Sequence, residues 1–190
     1  GVQAHAVCRW SLGMHTLFGF GGAKMKKKSA FQTDLAGLAG WGILCFLAAA
    51  AGGAASVNAG GFYGELMRPS WAPPGWVFGP VWTVLYAMMA VSAWLVWRQH
   101  RFRGAPAALS LFVVQLGANA LWTWIFFVWR MGFFAFAEIL VLLVLIITVT
   151  EAFRRKNRLA ALLLVPYIAW TAFATVLSFT VWKLNPALLG

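Results

Sequence analysis

Charged residues are scarce in this chain, and acidic residues are scarcest of all. Only 10% of the 190 residues are charged, and four are Asp or Glu. Soluble domains carry roughly 25% charged residues, so this composition excludes an ordinary soluble domain and indicates an integral membrane protein. The net charge is +11. Because the basic residues lie in short clusters between apolar segments, they indicate membrane orientation and not a nucleic-acid partner.

Residue types that build catalytic or metal sites are also few. Cys8 lies in the N-terminal stretch and Cys45 in an apolar segment, so the sequence encodes no disulfide framework. The three histidines lie outside the apolar segments and lack metal-ligand spacing, which predicts that no metal is bound. The chain shows no nucleophile–base–acid set and no phosphate-binding loop. We therefore expect no firm catalytic residue and no required cofactor.

Long apolar runs, by contrast, are abundant. Five segments approach or exceed the length of about 20 residues that crosses a bilayer, which predicts an all-α, polytopic membrane bundle of five transmembrane helices. Short connections after the second, third and fourth segments predict antiparallel neighbours, and Pro80 and Pro166 predict local kinks. The five segments cover residues 35–57, 76–97, 105–129, 132–153 and 159–182.

Three regions follow from this division of the chain. We expect residues 1–33 to be an N-terminal extension, 34–185 the transmembrane domain and 186–190 a short C-terminal tail. Residues 1–24 are mixed and weakly apolar, so we interpret them as disordered or not native. A cleaved signal peptide is the alternative, although here the basic residues follow the apolar part instead of preceding it.

The distribution of basic residues predicts the orientation. With five crossings, eleven Lys and Arg residues fall on one side of the membrane and three on the other. The positive side is cytoplasmic, so we expect a cytoplasmic N-terminus and, in a bacterial inner membrane, a periplasmic C-terminus. The three residues on the second side are Arg68, Arg130 and Lys183.

Prolines and tryptophans interleave between the first two segments. Residues 68–76 read RPSWAPPGW, and residues 80–86 read PVWTVLY. Three prolines within six residues favour a stiff loop over a helix. Tryptophan suits a membrane surface or a flat aromatic ligand. The pattern predicts a rigid loop over a helix bundle that binds a flat or greasy molecule within the bilayer.

These stretches resemble the TspO/MBR family, which contains tryptophan-rich sensory proteins and the mitochondrial translocator protein (the peripheral benzodiazepine receptor). Further agreement comes from Gln115 through Trp122 with IFF at 125–127, and from VPYIAW at 165–170 with AFATVL at 172–177. The resemblance covers residues 35–185. It implies a five-helix bundle, often a homodimer, that binds protoporphyrin IX, haem and, in some members, sterols or aromatic drugs.

The family's activities leave three hypotheses open. The first is a receptor or transporter-like protein that handles porphyrins or senses stress. The second is an enzyme that breaks down bound porphyrin in light, with Trp82 and Trp170 as redox-active candidates. The third is a sensor that acts through a partner protein. In each case porphyrin or haem would be a ligand, and the lipid bilayer would surround the protein.

The resemblance also implies which side chains bind the ligand. Trp82, Trp170 and Ala174 match positions that line the family's pocket, and Tyr167, Trp170 and Ala174 form a stripe on the fifth helix. Such a stripe is otherwise typical of core packing. The complete set of expected ligand-binding residues is Tyr63, Trp71, Trp76, Trp82, Gln115, Asn119, Trp122, Phe134, Tyr167, Trp170, Ala174 and Leu177.

Polar residues inside the apolar segments have two interpretations. Gln115 and Asn119 share a face of the third helix, where they either join helices by hydrogen bonds or form a polar end to the cavity. Glu138 is the one carboxylate well inside an apolar segment, and we interpret it as a buried acid near a helix start.

The segment that would recognise sterols departs from its pattern. It overlays residues 174–183, where Phe179 and Thr180 stand and no tyrosine is present. Such patterns are weak even when complete, so sterol binding is the least supported of the implied activities. Phe133 and Phe134 stand where many family members carry a tryptophan, so aromatic character remains without the indole N–H.

Overall fold

The computed structural model describes residues 19–57 and 59–190. The expectation that residues 1–24 are an extension therefore falls largely outside the described residues, as do Cys8, His5 and His15. The described part is helical and contains no strand, which confirms the predicted all-α class. Its helices are α1 (Gly19–Ala55), α2 (Ala59–Glu65), α3 (Phe78–Gly104), α4 (Pro106–Thr123), α5 (Gly132–Arg154), α6 (Arg158–Leu184) and α7 (Pro186–Leu189).

Five helical spans among the described residues are long and apolar enough to cross a bilayer, as predicted. They are Gln32–Ala55, Gly75–Gly104, Pro106–Val128, Gly132–Arg154 and Arg158–Leu184. The second span begins with a 3₁₀ turn, Gly75–Val77, and the third ends in a π-helical turn, Trp124–Val128. These spans make the chain an integral membrane protein.

The two prolines at which the sequence predicts local kinks occupy different positions in their helices. Pro80 lies in the first turn of α3, where its missing N–H needs no partner. Pro166 lies within α6, which continues through it from Arg158 to Leu184. The clearest break in helical geometry is at Arg101, near the end of α3, where φ is 52° and ψ is −178°.

Residues Leu38–Gly190 form one compact unit, and the described residues before Leu38, 19–37, belong to a separate one. Within the larger unit, α5 packs along α6, α4 along α5 and α3 along α6. The core between them is apolar and closely packed, with Phe112, Phe153 and Tyr167 almost inaccessible. A second apolar cluster joins α2 to α6 and includes Leu189 of α7, so residues 186–189, predicted as a tail, form a helical turn anchored by Leu189.

Candidate functional site

A cavity of about 470 Å³ lies among α1, α2, α3, α4 and α6. This volume lies in the range of sites for drug-sized ligands. Most lining atoms are apolar, and the cavity is partly open. Its lining residues are Phe46, Ala49, Gly52, Gly53, Ser56, Tyr63, Gly75, Phe78, Gly79, Trp82, Thr83, Tyr86, Asn119, Trp122, Thr123, Phe126, Phe127, Trp170, Ala174, Leu177, Ser178 and Val181.

Two contacts hold α1 in the cavity wall. At Gly52, α1 approaches α4 closely. A Cβ added at Gly52 would lie 3.2 Å from Thr123 Oγ1 and 3.9 Å from the Cα of Ala120. Nearby, Trp124 Nε1 donates a hydrogen bond of 3.0 Å to the carbonyl oxygen of Ala51. Small residues permit such close helix contacts in membranes, so Gly52 lets α1 form one wall of the cavity.

Three tryptophans supply much of the aromatic wall. The Trp82 ring lies 5.7 Å from the Tyr86 ring and 6.1 Å from the Tyr167 ring. Trp122 stacks on Phe126 at 5.3 Å with an interplanar angle of 16°. Its Nε1 donates to the carbonyl oxygen of Ala135 at 3.1 Å. The Trp122 ring is therefore fixed by α5, and its indole N–H is already used.

Trp170 is positioned by contacts between its ring and two phenylalanine rings. It lies 5.7 Å from Phe78 and 5.6 Å from Phe173, measured between ring centroids. Its Nε1 is buried and has no hydrogen-bond partner among the described residues, and the same is true of Ser178 Oγ. Buried polar groups are normally paired, and these two atoms of cavity-lining residues are exceptions.

A buried hydrogen-bond network forms one end of the cavity. The Tyr86 hydroxyl donates to Asn119 Oδ1, and Asn119 Nδ2 donates to the Tyr167 hydroxyl at 2.8 Å. Tyr167 in turn donates to Gln115 Oε1 at 3.0 Å, and Gln115 Nε2 reaches the Met89 sulfur at 3.8 Å. The network joins α3, α4 and α6. Of the two interpretations of Gln115 and Asn119, interhelical bonding holds for both, while only Asn119 reaches the cavity.

The loop between α2 and α3 lies beside the cavity and is fixed at two points. The Tyr63 hydroxyl donates to the Pro73 carbonyl oxygen at 3.1 Å. Burial raises the pKa of this phenol, and the nearby Arg68 partly opposes that effect, so the donor keeps its proton at neutral pH. Near the other end of the loop, the side-chain amide of Asn185 bonds to the backbone of Met67.

Seven of the twelve residues expected to bind ligand line the cavity. Ligand binding by these residues stays a prediction, but the fold brings them together from four helices, α2, α3, α4 and α6. They are Tyr63, Trp82, Asn119, Trp122, Trp170, Ala174 and Leu177.

The other five lie outside the cavity wall. Gln115 and Tyr167 are buried behind it in the hydrogen-bond network. Trp71 packs edge-on against Phe173 at 5.8 Å, and Phe173 does not line the cavity either. Trp76 is 75% exposed and Phe134 is 55% exposed. Both side chains are therefore directed away from the packed bundle, as expected for interfacial aromatic residues.

Several residues that line the cavity were not identified from the sequence. Gly52 and Thr123 lie outside the motifs named above, and Ser178 lies in the segment 174–183 without being singled out there. Phe46 was indistinguishable from its lipid-facing neighbours. The two oxygens of Glu138 are buried without a partner among the described residues, but Glu138 does not line the cavity. Among the same residues, no His, Cys, Asp or Glu cluster has a metal-binding arrangement.

The fold and the cavity define a class of protein: a five-span helical membrane protein with an aromatic cavity inside the bundle. The model of the TspO/MBR family matches residues 41–183. The chain belongs to this family, as the resemblance indicates.

Curated relatives support the same family assignment. The chain is 37% identical over 129 residues to the tryptophan-rich protein TspO of Chlorobaculum tepidum, covering 66% of this chain and 80% of that protein. It is 40% identical over 126 residues to the human translocator protein, covering 65% and 75%. It is 36% identical over 154 residues to protein CrtK of Rhodobacter capsulatus, covering 74% and 90%.

Proposed function

We propose that this protein is a membrane receptor or transporter-like protein that binds a tetrapyrrole, protoporphyrin IX or haem, in the cavity described above. The observation that carries the proposal is the convergence of Trp82, Trp122 and Trp170 on one cavity within a membrane bundle. Flat aromatic rings offset-stack on a planar ligand or meet it edge-on, and each such contact contributes beyond the apolar area that it buries.

The polar atoms of the cavity suit such a ligand as well. The wall includes a few polar side chains, Thr83, Asn119 and Thr123, which suits a ligand with polar atoms at its ring or periphery. The rest of the cavity wall is apolar and is formed largely by helices that are long and apolar enough to cross the bilayer. A ligand that partitions into the bilayer therefore exchanges one apolar environment for another and gains ring contacts and hydrogen bonds.

The family's second activity, light-dependent porphyrin breakdown, is supported by a specific observation. Trp82 and Trp170 both line the cavity, so their indoles would lie beside a bound macrocycle. An excited porphyrin next to an indole can exchange an electron with it. Under this alternative the protein is an enzyme, and these two residues are its redox-active partners.

The proposal also includes a location. We place the protein in a bacterial inner membrane, with the basic connections after α3 and α5 in the cytoplasm and the loop between α2 and α3 in the periplasm. The support is the charge bias of eleven basic residues to three. A homodimer stays a prediction from the resemblance.

The test is a titration of purified protein with protoporphyrin IX, followed by spectra in the dark and under light. Saturable quenching of tryptophan fluorescence supports binding, and an unchanged porphyrin spectrum under light supports binding alone. Bleaching under light that is lost in Trp82→Phe supports the enzyme. Trp76→Phe is the matched control, because Trp76 is 75% exposed and lies off the cavity. Absence of saturable quenching contradicts the tetrapyrrole assignment.

A further inference from the structure

The end of α3 is joined by hydrogen bonds to the connection between α5 and α6 and to the start of α6. Lys156 Nζ donates to the Gly104 carbonyl oxygen at 3.0 Å, and the ring nitrogen Nε2 of His100 lies 3.3 Å from the Lys156 carbonyl oxygen. Further into the bundle, the Ser92 hydroxyl donates to the Ala160 carbonyl oxygen at 2.7 Å. These contacts hold the end of α3 against the first turn of α6.

Basic residues dominate the two segments that meet here. Seven of the twelve residues in the ranges 98–104 and 154–158, which we call the basic junction, are Lys or Arg, and none is acidic. Glu151 offsets part of this charge, since its carboxylate accepts from Arg154 at 2.6 Å and from Arg155 at 3.1 Å. One carboxylate carries one negative charge, so it leaves most of the junction's positive charge in place.

Three of these cations are placed to contact an anion from outside the protein. Arg103 and Arg158 are exposed, and neither side chain forms a hydrogen bond or ion pair with another residue that the structure describes. Lys156 is also exposed, and its ammonium group uses one of its three donors on Gly104. Arg103 directly precedes Gly104, and Arg158 follows Lys156 by two residues, so all three side chains belong to the same contact between segments.

The backbone at the end of α3 is held in an unusual conformation. At Arg101 φ is 52°, in the left-handed region that is strained for a residue other than glycine. Beyond Arg101, the Phe102 ring stacks on the Trp41 ring at 5.9 Å, and Gly104 accepts the bond from Lys156. Since strained conformations persist only where surrounding contacts hold them, residues 101–104 are a fixed part of the basic junction and not a frayed helix end.

Two tryptophans place the basic junction at the level of the lipid headgroups. The guanidinium carbon of Arg98 lies 5.1 Å from the ring centroid of Trp94, and that of Arg101 lies 4.1 Å from the ring centroid of Trp97. Tryptophans concentrate at the membrane–water interface, and arginines near helix ends extend toward the headgroups. The apolar span Gly75–Gly104 also ends at this level. The cations of the junction therefore lie at the depth of the phosphate groups of the adjacent leaflet.

We propose that the basic junction binds the phosphate group of an anionic phospholipid, with Arg103, Lys156 and Arg158 as its direct contacts. Guanidinium groups donate paired N–H bonds to phosphate oxygens, and the ammonium group adds a compact charge. Basic pockets between membrane helices recognise anionic headgroups in this way. Membrane orientation requires only that basic residues lie on this side. A lipid site requires more, namely that an anionic lipid is held in preference to a zwitterionic one, whatever ligand occupies the cavity.

The experiment is native mass spectrometry of the full-length protein in detergent, incubated with equal amounts of phosphatidylglycerol and phosphatidylcholine that carry the same acyl chains. The two lipids differ in the net charge of the headgroup, and the protein with one bound lipid has a different mass for each. The abundance ratio of these two forms measures the preference. For the wild-type protein we expect the form with phosphatidylglycerol to be about five-fold more abundant.

The test variant is Arg103→Gln/Lys156→Gln/Arg158→Gln, for which the ratio should fall close to one. A second variant, Arg103→Gln/Arg158→Gln, keeps the bond from Lys156 to Gly104, so it tests the site even if the triple variant does not fold. Its ratio should fall to about two, because exposed charge pairs contribute individually small amounts. Thermal unfolding in the same detergent checks that each variant is folded.

The matched control is Arg68→Gln/Arg130→Gln/Lys183→Gln, which removes the same number of charges from the other side of the predicted topology. This variant should keep the wild-type ratio. An equal fall in the control and the test variant would overturn the proposal, because the preference would then follow net charge and not the junction. A ratio near one in the wild-type protein, or an unchanged ratio in the folded double variant, would overturn it as well.

Discussion

The side-chain amide of Asn185 pairs with the backbone of Met67, 118 residues away. The Met67 N–H donates to Asn185 Oδ1 at 2.8 Å, and Asn185 Nδ2 donates to the Met67 carbonyl oxygen at 2.9 Å. The same Nδ2 also donates to the Val181 carbonyl oxygen at 2.7 Å. One side chain thus joins the loop after α2 to the end of α6, the helix that carries Trp170 and Ser178. The position of the loop beside the cavity depends on this link.

Asn185→Ala should loosen the loop. The change removes three hydrogen bonds and leaves the Met67 N–H and carbonyl without these partners, which we expect to cost about 2 kcal/mol of unfolding free energy. Limited proteolysis should then cut residues 66–74 faster than in the wild-type protein.

The control for this variant is Asn157→Ala at the other end of α6. Asn157 caps the helix by accepting a bond of 3.0 Å from Ala160 N, and its loss should cost about 1 kcal/mol. It should leave cleavage of the loop unchanged. Equal cleavage rates for Asn185→Ala and the wild-type protein would mean that the amide does not hold the loop.

Ala174→Thr should weaken porphyrin binding. Ala174 lines the cavity on α6, one turn from Trp170, so added atoms occupy ligand space. Overpacking of this kind costs about 1 kcal/mol or more, which corresponds to about a five-fold loss of affinity in a fluorescence-quenching titration. Ala169→Thr, an exposed position on the same helix and outside this cavity, should bind normally. Unchanged affinity in Ala174→Thr would argue against a ligand on this wall.

Gly52→Val should separate α1 from α4. The added Cβ would lie 3.2 Å from Thr123 Oγ1, and the two further methyl groups have no room between the helices. We expect a loss of about 1–3 kcal/mol in unfolding experiments in mixed micelles. The neighbouring Gly53 has nothing within 4 Å of an added Cβ, so Gly53→Val should be less destabilising. Equal effects would show that helix propensity, and not the close approach, decides the cost.

Tyr167→Phe should destabilise the bundle more than Tyr86→Phe. The Tyr167 hydroxyl accepts from Asn119 and donates to Gln115, whereas the Tyr86 hydroxyl only donates to Asn119. We expect losses of about 2 and about 1 kcal/mol, since interhelical hydrogen bonds in membranes are individually modest. Unfolding in mixed micelles measures both values. A larger loss for Tyr86→Phe would contradict the order of bonds in the network.

The five spans could be predicted from the sequence because each rests on local information. An apolar run of sufficient length crosses a bilayer whatever its neighbours do, and all five predicted segments overlap the observed spans. The ends were less predictable. Helix α5 ends at Arg154 and α6 begins at Arg158. The first residue of α6 is set by its N-cap, Asn157, which is not part of the apolar pattern.

The candidate site was only partly predictable for the opposite reason. Trp82 and Trp170 lie in recognisable motifs, but whether an aromatic residue faces a cavity, a neighbouring helix or lipid depends on helix rotation. Tyr167 and Trp170 are three residues apart on one stripe, yet Tyr167 is sealed in the network while Trp170 reaches the cavity. Asn185 lay beyond every motif, because its role arises only when the loop and the end of α6 meet.

A structure determined with bound protoporphyrin IX is the most direct test of the central claim. We predict that the macrocycle lies inside the bundle between Trp82 and Trp170, with its edge near Ser178. A macrocycle found on the lipid-facing surface, with the space between Trp82 and Trp170 empty, would contradict it.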